Sequence, residues 1–166
     1  MKQIFIKPQE LYFSTQPVII LTTVQNSIAI CIHDTNLKIG GMLHLLLSNT
    51  KEHFNNTNLY QYNKTEIIKL LKTIGSSPSN LIVKIIGQSN LYDITINTKY
   101  NLEEKNILIV KKILNKFSIP IIAENLGGNK PKHVEFNTSN GIARFKLVNK
   151  NNIYNYQYSN TSIPDN

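Results

Sequence analysis

Residues 22–44 read TTVQNSIAICIHDTNLKIGGMLH, and this stretch decides the fold. Ile28 to His33 is an apolar run rich in β-branched residues, which predicts a buried strand. Asp34 to Lys38 is a short polar connection and Ile39 to Leu47 a second apolar run, so the two strands form a hairpin-like pair. Ahead of them Pro17 to Thr23 reads as another strand, separated from the pair by the tight polar segment Gln25-Asn26-Ser27.

Outward from this core, strands are predicted at Leu81 to Gly87, Ile119 to Glu124, His133 to Asn137 and Ile142 to Val148, the last two joined at Asn140-Gly141. Two segments change to the helical period. Ile67, Ile68, Leu70, Leu71 and Ile74 form a stripe in Thr65 to Ile74, which Gly75 terminates. Ile107, Val110, Ile113, Leu114 and Phe117 form another in Glu103 to Phe117, with acids early and lysines late, as the helix dipole favours. The order, mostly β and then α, β, α, β, β, predicts a layered α/β sandwich with a mixed β-sheet core.

A chain of 166 residues with 41% hydrophobic content suits one packed domain. Residues 1–148 are read as that domain. Ser48 to Asn63 reads as a long Asn- and Thr-rich surface loop. Residues 149–166 form an Asn-rich end, either a flexible tail or, through alternating Tyr154, Tyr156 and Tyr158, one edge strand.

The formal charge of +8 invites a polyanion partner. However, Arg144 is the single arginine beside 23 asparagines. The bidentate contacts that specific nucleic-acid recognition favours are therefore scarce, and at most a basic binding module is implied. Cys31 is alone, which excludes an intrachain disulfide and a multi-cysteine metal centre. His33, His53 and His133 lack ligand spacing, so no metal is expected. No apolar run approaches membrane-spanning length, and a cytoplasmic protein without membrane insertion is expected.

A nucleophile at a sharp turn beside a strand can take its base from the neighbouring strand, which makes Ser27 and His44 a candidate pair. The alternative reading is a turn serine and a core histidine. Gly40 and Gly41 either permit close approach around His44 or mark a strand kink. Gly127, Gly128 and Asn129 read either as a turn of backbone amides near a site or as a tight connection.

Four motifs, in order, are NSIAICIHD (26–34), KIGGMLH (38–44), KIIG (84–87) and IIAENLGGN (121–129), followed by a Phe-Asn-Thr-x-x-Gly hairpin at 136–141. From about Pro17 to Val148 the chain resembles the chemoreceptor glutamine deamidase family, CheD. The resemblance implies a cytoplasmic chemotaxis protein of layered α/β fold. Such a protein hydrolyses receptor glutamines to glutamate with release of ammonia, without cofactor or metal. Its partners would be methyl-accepting chemotaxis receptors and, in many members, a CheC-type phosphatase.

The family's histidine falls on His44. Its cysteine falls on Ser27, and the Gly-Ser before that cysteine falls on Gln25-Asn26, so positive φ at Gln25 would be costly. Its threonine falls on Leu21, and a two-residue shift would offer Thr23 as the group that orients His44. A hydroxyl is far harder to ionise than a thiol, so the resemblance leaves two readings. One is a deamidase that uses Ser27; the other is a pseudoenzyme that binds receptors or a CheC-type phosphatase.

Overall fold

The computed structural model describes residues 1–47, 59–88, 97–149 and 151. Among these residues nine strands and two α-helices follow in the order β1 (Lys2–Phe5), β2 (Leu11–Ser14), β3 (Val18–Val24), β4 (Ser27–Asp34), β5 (Ile39–Leu46), α1 (Leu59–Ile74), β6 (Leu81–Gln88), α2 (Asn97–Lys116), β7 (Ile121–Asn125), β8 (Lys132–Asn137) and β9 (Ala143–Leu147). They make two mixed sheets, one ordered β1-β3-β8-β9 and the other β2-β5-β4-β6-β7. Among the described residues, parallel pairing is confined to β1 with β3 and β6 with β7.

The five-stranded sheet is the middle layer. Ile28, Ile30 and Ile32 of β4 join Leu43 and Leu45 of β5, and Val83 and Ile85 of β6, against Ile67, Leu70 and Ile74 of α1 and Val110 and Leu114 of α2. The opposite face carries Ala29, Cys31, Met42 and Ile86, which pack on Ile20, Val24, Val134 and Phe136 of the four-stranded sheet. β4 is thus buried along its whole length. That explains why its sequence is continuously apolar instead of alternating.

Several expectations are adjusted. The mixed β-sheet core consists of two sheets, because β3 pairs with β8 whereas the consecutive β4 pairs with β5 and β6; β1 and β2 add edge partners that short, mixed sequences did not signal. α1 begins at Leu59, inside the stretch read as a loop, and α2 begins at Asn97. Phe117 lies beyond α2 and is exposed, outside the buried stripe. Most of 149–166, including the three tyrosines, and His53 lie outside the described residues, as does 48–58 of the predicted loop.

Glycines account for two close approaches. A Cβ on Gly40 would lie 2.8 Å from the Ile32 carbonyl oxygen and 3.2 Å from the Phe136 ring, and one on Gly41 would lie 2.9 Å from the Tyr12 carbonyl oxygen. Both serve packing of β5 against its neighbours. Among the described residues, no helix is long and apolar enough to cross a membrane.

Candidate active site

Ser27 opens β4, and His44 lies on β5. The antiparallel register sets Ser27 opposite Leu46 and Ala29 opposite His44. Ser27 and His44 are therefore diagonal neighbours on the face that looks toward the four-stranded sheet, within reach of an imidazole. His44 Nε2 lies 2.8 Å from Ser27 Oγ. On its other side, Nδ1 lies 2.7 Å from Thr22 Oγ1, which comes from β3 in the facing sheet. Ser27 and His44 are each 1% exposed and Thr22 is 0% exposed, so the three sit inside the sandwich.

The proton positions follow from donor and acceptor inventory. The Thr22 hydroxyl donates to the Ile6 carbonyl at 2.8 Å. A hydroxyl has one proton, so toward His44 it accepts, and Nδ1 carries the hydrogen. Nε2 is then a lone pair and accepts the Ser27 hydroxyl. Ser27 Oγ in turn accepts the Gln25 backbone N–H at 3.0 Å. Every group in the chain is satisfied with a neutral imidazole whose basic nitrogen faces the serine.

Burial reinforces that state. With no carboxylate among the described residues to favour the cation, desolvation pushes the His44 pKa down to about 3. Desolvation also lowers the pKa of His33 and of His133. Each of these rings is neutral in the fold and gains a proton on unfolding at the ordinary imidazole value. Their contribution to stability is therefore complete above the ordinary value of 6.5 and is lost as the pH falls, for His44 down to about 3. We expect the free energy of unfolding to fall between pH 6.5 and pH 5, each histidine adding at most about 1.4 kcal/mol per pH unit. Urea titrations of the native chain and of His44→Gln check this; an equal slope in both would refute the assignment to His44.

The group orienting His44 is Thr22, not Thr23, which corrects the sequence reading. Side chains alternate along a strand, so Thr23 points to the opposite face with Leu21. There its hydroxyl lies 3.2 Å from His133 Nδ1. A displacement of one residue, not two, brings a threonine to the imidazole, and the sequence offered no signal to choose between them. The positive φ in the turn before Ser27 falls on Asn26, at 52°, and not on Gln25. Asparagine tolerates that region better than most side chains, so the turn survives without glycine.

The other candidates are placed as follows. Gly40 lies four strand residues from His44, about 13 Å along β5, and the packing role above is its evident use. Gly127 and Gly128 adopt φ of 83° and 98°, and the Gly127 carbonyl accepts the Lys132 ammonium at 2.9 Å. Asn129 is exposed. Glu124 forms an exposed ion pair with Lys111 at 2.8 Å. Cys31 is fully buried, and desolvation raises its pKa to about 12, so it remains a thiol. His33 anchors the β8–β9 hairpin, its Nδ1 3.0 Å from the Thr138 carbonyl oxygen. A surface hollow lined by Ile19, Glu135, Asn137, Asn140, Ile142 and Arg144 lies on the outer side of the four-stranded sheet, away from Ser27.

Fold and site together define an α/β sandwich that holds an aligned Ser–His–Thr chain between its sheets. The family model described as CheD chemotactic sensory transduction matches residues 46–147, more than half of the chain, and the chain belongs to that family. The matched stretch begins just after His44. Among curated relatives, the probable chemoreceptor glutamine deamidase CheD of Caldanaerobacter subterraneus subsp. tengcongensis is 31% identical over 78% of this chain and 83% of that protein. The proteins of the same description from Clostridium acetobutylicum and Sulfurimonas denitrificans are 28% and 27% identical, over 89% and 88% of this chain and 92% and 94% of their own lengths. Among solved structures, the hypothetical protein YfiH of Bacillus licheniformis is similar with a TM-score of 0.40 and 11% identity, over 68% of this chain and 49% of that one.

Proposed function

We propose that this chain is a chemoreceptor glutamine deamidase in which Ser27 is the nucleophile, His44 the acid and base, and Thr22 the group that holds His44. The observation that carries the reading is the directed hydrogen-bond chain from Ser27 through His44 to Thr22 and Ile6. A protein kept only for binding would not need every hydrogen of that chain aligned for base catalysis. The names of the relatives supply the substrate class, a receptor glutamine.

Ser27 Oγ attacks the side-chain carbonyl carbon while His44 Nε2 takes the hydroxyl proton. The imidazolium then protonates the leaving nitrogen, ammonia departs, and an ester joins the substrate to Ser27. Water, deprotonated by His44, attacks the ester and releases glutamate and the serine hydroxyl. Because burial disfavours imidazolium, the cation forms only alongside the oxyanion of the tetrahedral adduct. A site that stores a thiolate–imidazolium pair is built differently; here the neutral pair is the resting state.

The proposed setting is the cytoplasm, with 1–148 as the working unit and a CheC-type phosphatase as a second partner. The test is incubation with the cytoplasmic part of the organism's own receptors, with glutamine-to-glutamate conversion read by mass spectrometry. Conversion is expected with the native chain and absent with Ser27→Ala. A folded native chain that converts nothing refutes the proposal.

The threonine assignment has its own expected result. Thr22→Val should lower the conversion rate by about tenfold to a hundredfold by releasing the imidazole, whereas Thr23→Val should leave it close to native. Equal losses in the two variants would contradict the geometry.

A further inference from the structure

Lys132, on β8 opposite Val24 of β3, is 3% exposed and points between the sheets. Its ammonium donates to the Gly87 carbonyl at 2.7 Å, to Asn125 Oδ1 at 2.6 Å and to the Gly127 carbonyl at 2.9 Å, with the Asn125 carbonyl at 3.3 Å. The Phe145 ring lies 5.2 Å from it, face-on to the charge. These hydrogen-bond partners are all neutral oxygens. Burying an ammonium without a counter-charge is unfavourable, and an apolar side chain of similar length would fill the space without that cost.

What the cation joins explains its presence. Gly87 lies one residue before the end of β6, opposite Ile28 of β4, and the next residue, Gln88, is paired with Ser27. A Cβ on Gly87 would lie 3.0 Å from the Ser27 carbonyl oxygen. The oxygen that Lys132 grips therefore belongs to the wall beside the nucleophile. Asn125 ends β7, and Gly127 begins the turn whose two positive φ values present its carbonyl to the ammonium. One side chain thus ties β6, β7 and the 126–128 turn to β8.

We propose that Lys132 is a positioning residue for Ser27, its ammonium fixing the end of β6 and the Gly127-Gly128 turn so that the nucleophile's strand end is held in register with His44. The proposal rests on the amide-hydrolase reading above. It gives the glycine motif at 127–128 a function at one remove from the chemistry.

The experiment compares full-length native, Lys132→Met and Lys132→Arg chains, well below their melting temperatures. Two readouts are taken: the rate of Ser27 modification by a fluorophosphonate, and amide hydrogen exchange by mass spectrometry. Lys132→Met is expected to slow the modification by about tenfold or more, as a small misplacement of a reacting atom does. It should also speed exchange in peptides covering 24–29, 85–88 and 125–129 while leaving 67–74 of α1 unchanged. Lys132→Arg, which restores charge and donors, should recover part of both. Native-like modification in the methionine variant, or exchange that rises evenly through the chain, overturns the proposal. If the native chain itself is not modified, the hydrolase reading fails. The exchange pattern then decides alone whether Lys132 holds this corner, with local loosening supporting the pin and an even or absent change refuting it.

Discussion

His44→Ala is expected to lower glutamine conversion by about a hundredfold to ten-thousandfold, the range that a positioned acid–base group supplies. Nε2 is the only base that the structure sets against Ser27 among the described residues, and serine, unlike cysteine, has almost no ionised fraction to fall back on at neutral pH. The acid limb offers a second reading of the same group. A histidine held at about 3 by burial leaves kcat/KM nearly flat from pH 5 to pH 8, where an ordinary imidazole would impose a fall near 6.5. A native profile that halves near pH 6.5 would show the free site to be wetter than this geometry implies. Loss of conversion in His44→Ala without loss of fold, checked by circular dichroism, separates chemistry from stability. Retention of the native rate would remove His44 from the mechanism.

Gly87→Ala carries the largest expected structural effect. The added methyl would overlap Ile28 Cγ2 and lie 3.2 Å from Ile28 Cβ and 3.0 Å from the Ser27 carbonyl oxygen. All three contacts are with the strand that carries the nucleophile, and that strand is packed on both faces, so it cannot retreat freely. Overpacking of this kind costs about 1–3 kcal/mol, which for a domain of this size is a drop of several degrees in Tm. The displaced Ser27 should also lower activity by more than the folded fraction accounts for. Gly128→Ala is the control. Its methyl would meet nothing within 4 Å, although φ of 98° still strains the backbone. If both variants melt alike and turn over alike, the contact at Gly87 is not what positions β4.

The strands and helices that line the core were legible because their residues carry a strong period or a long apolar run. β4 is buried through its length, β5 between its two end residues, and β6 at Leu81, Val83 and 85–87, and the stripes of Ile67, Leu70 and Ile74 and of Ile107, Val110 and Leu114 survive in the packed helices. β1 and β2 were not legible, because edge strands four residues long with Lys2, Gln3 and Ser14 among them look like loop sequence. The layered α/β sandwich was legible, but the division of its mixed core into two sheets falls between the consecutive strands β3 and β4, where no local pattern marks it. At the site, Ser27 and His44 could be paired in advance, since adjacent strands in a hairpin make diagonal contacts inevitable. Thr22 could not be chosen over Thr23. Which of two consecutive residues faces inward depends on the register between β3 and β8, a long-range pairing that no local pattern encodes.

The Ile6 carbonyl that receives the Thr22 hydroxyl has a consequence for how the protein can be handled. That acceptor is what gives the relay its polarity. Without it the threonine proton is free to turn toward the imidazole, which then favours the other tautomer and presents an N–H, not a lone pair, to Ser27. The amino-terminal segment, remote in sequence from every reacting atom, is in this sense a switch of sign. Trimming it would leave nucleophile and base in contact, with the imidazole N–H donating to the Ser27 oxygen and no lone pair left to take the serine proton.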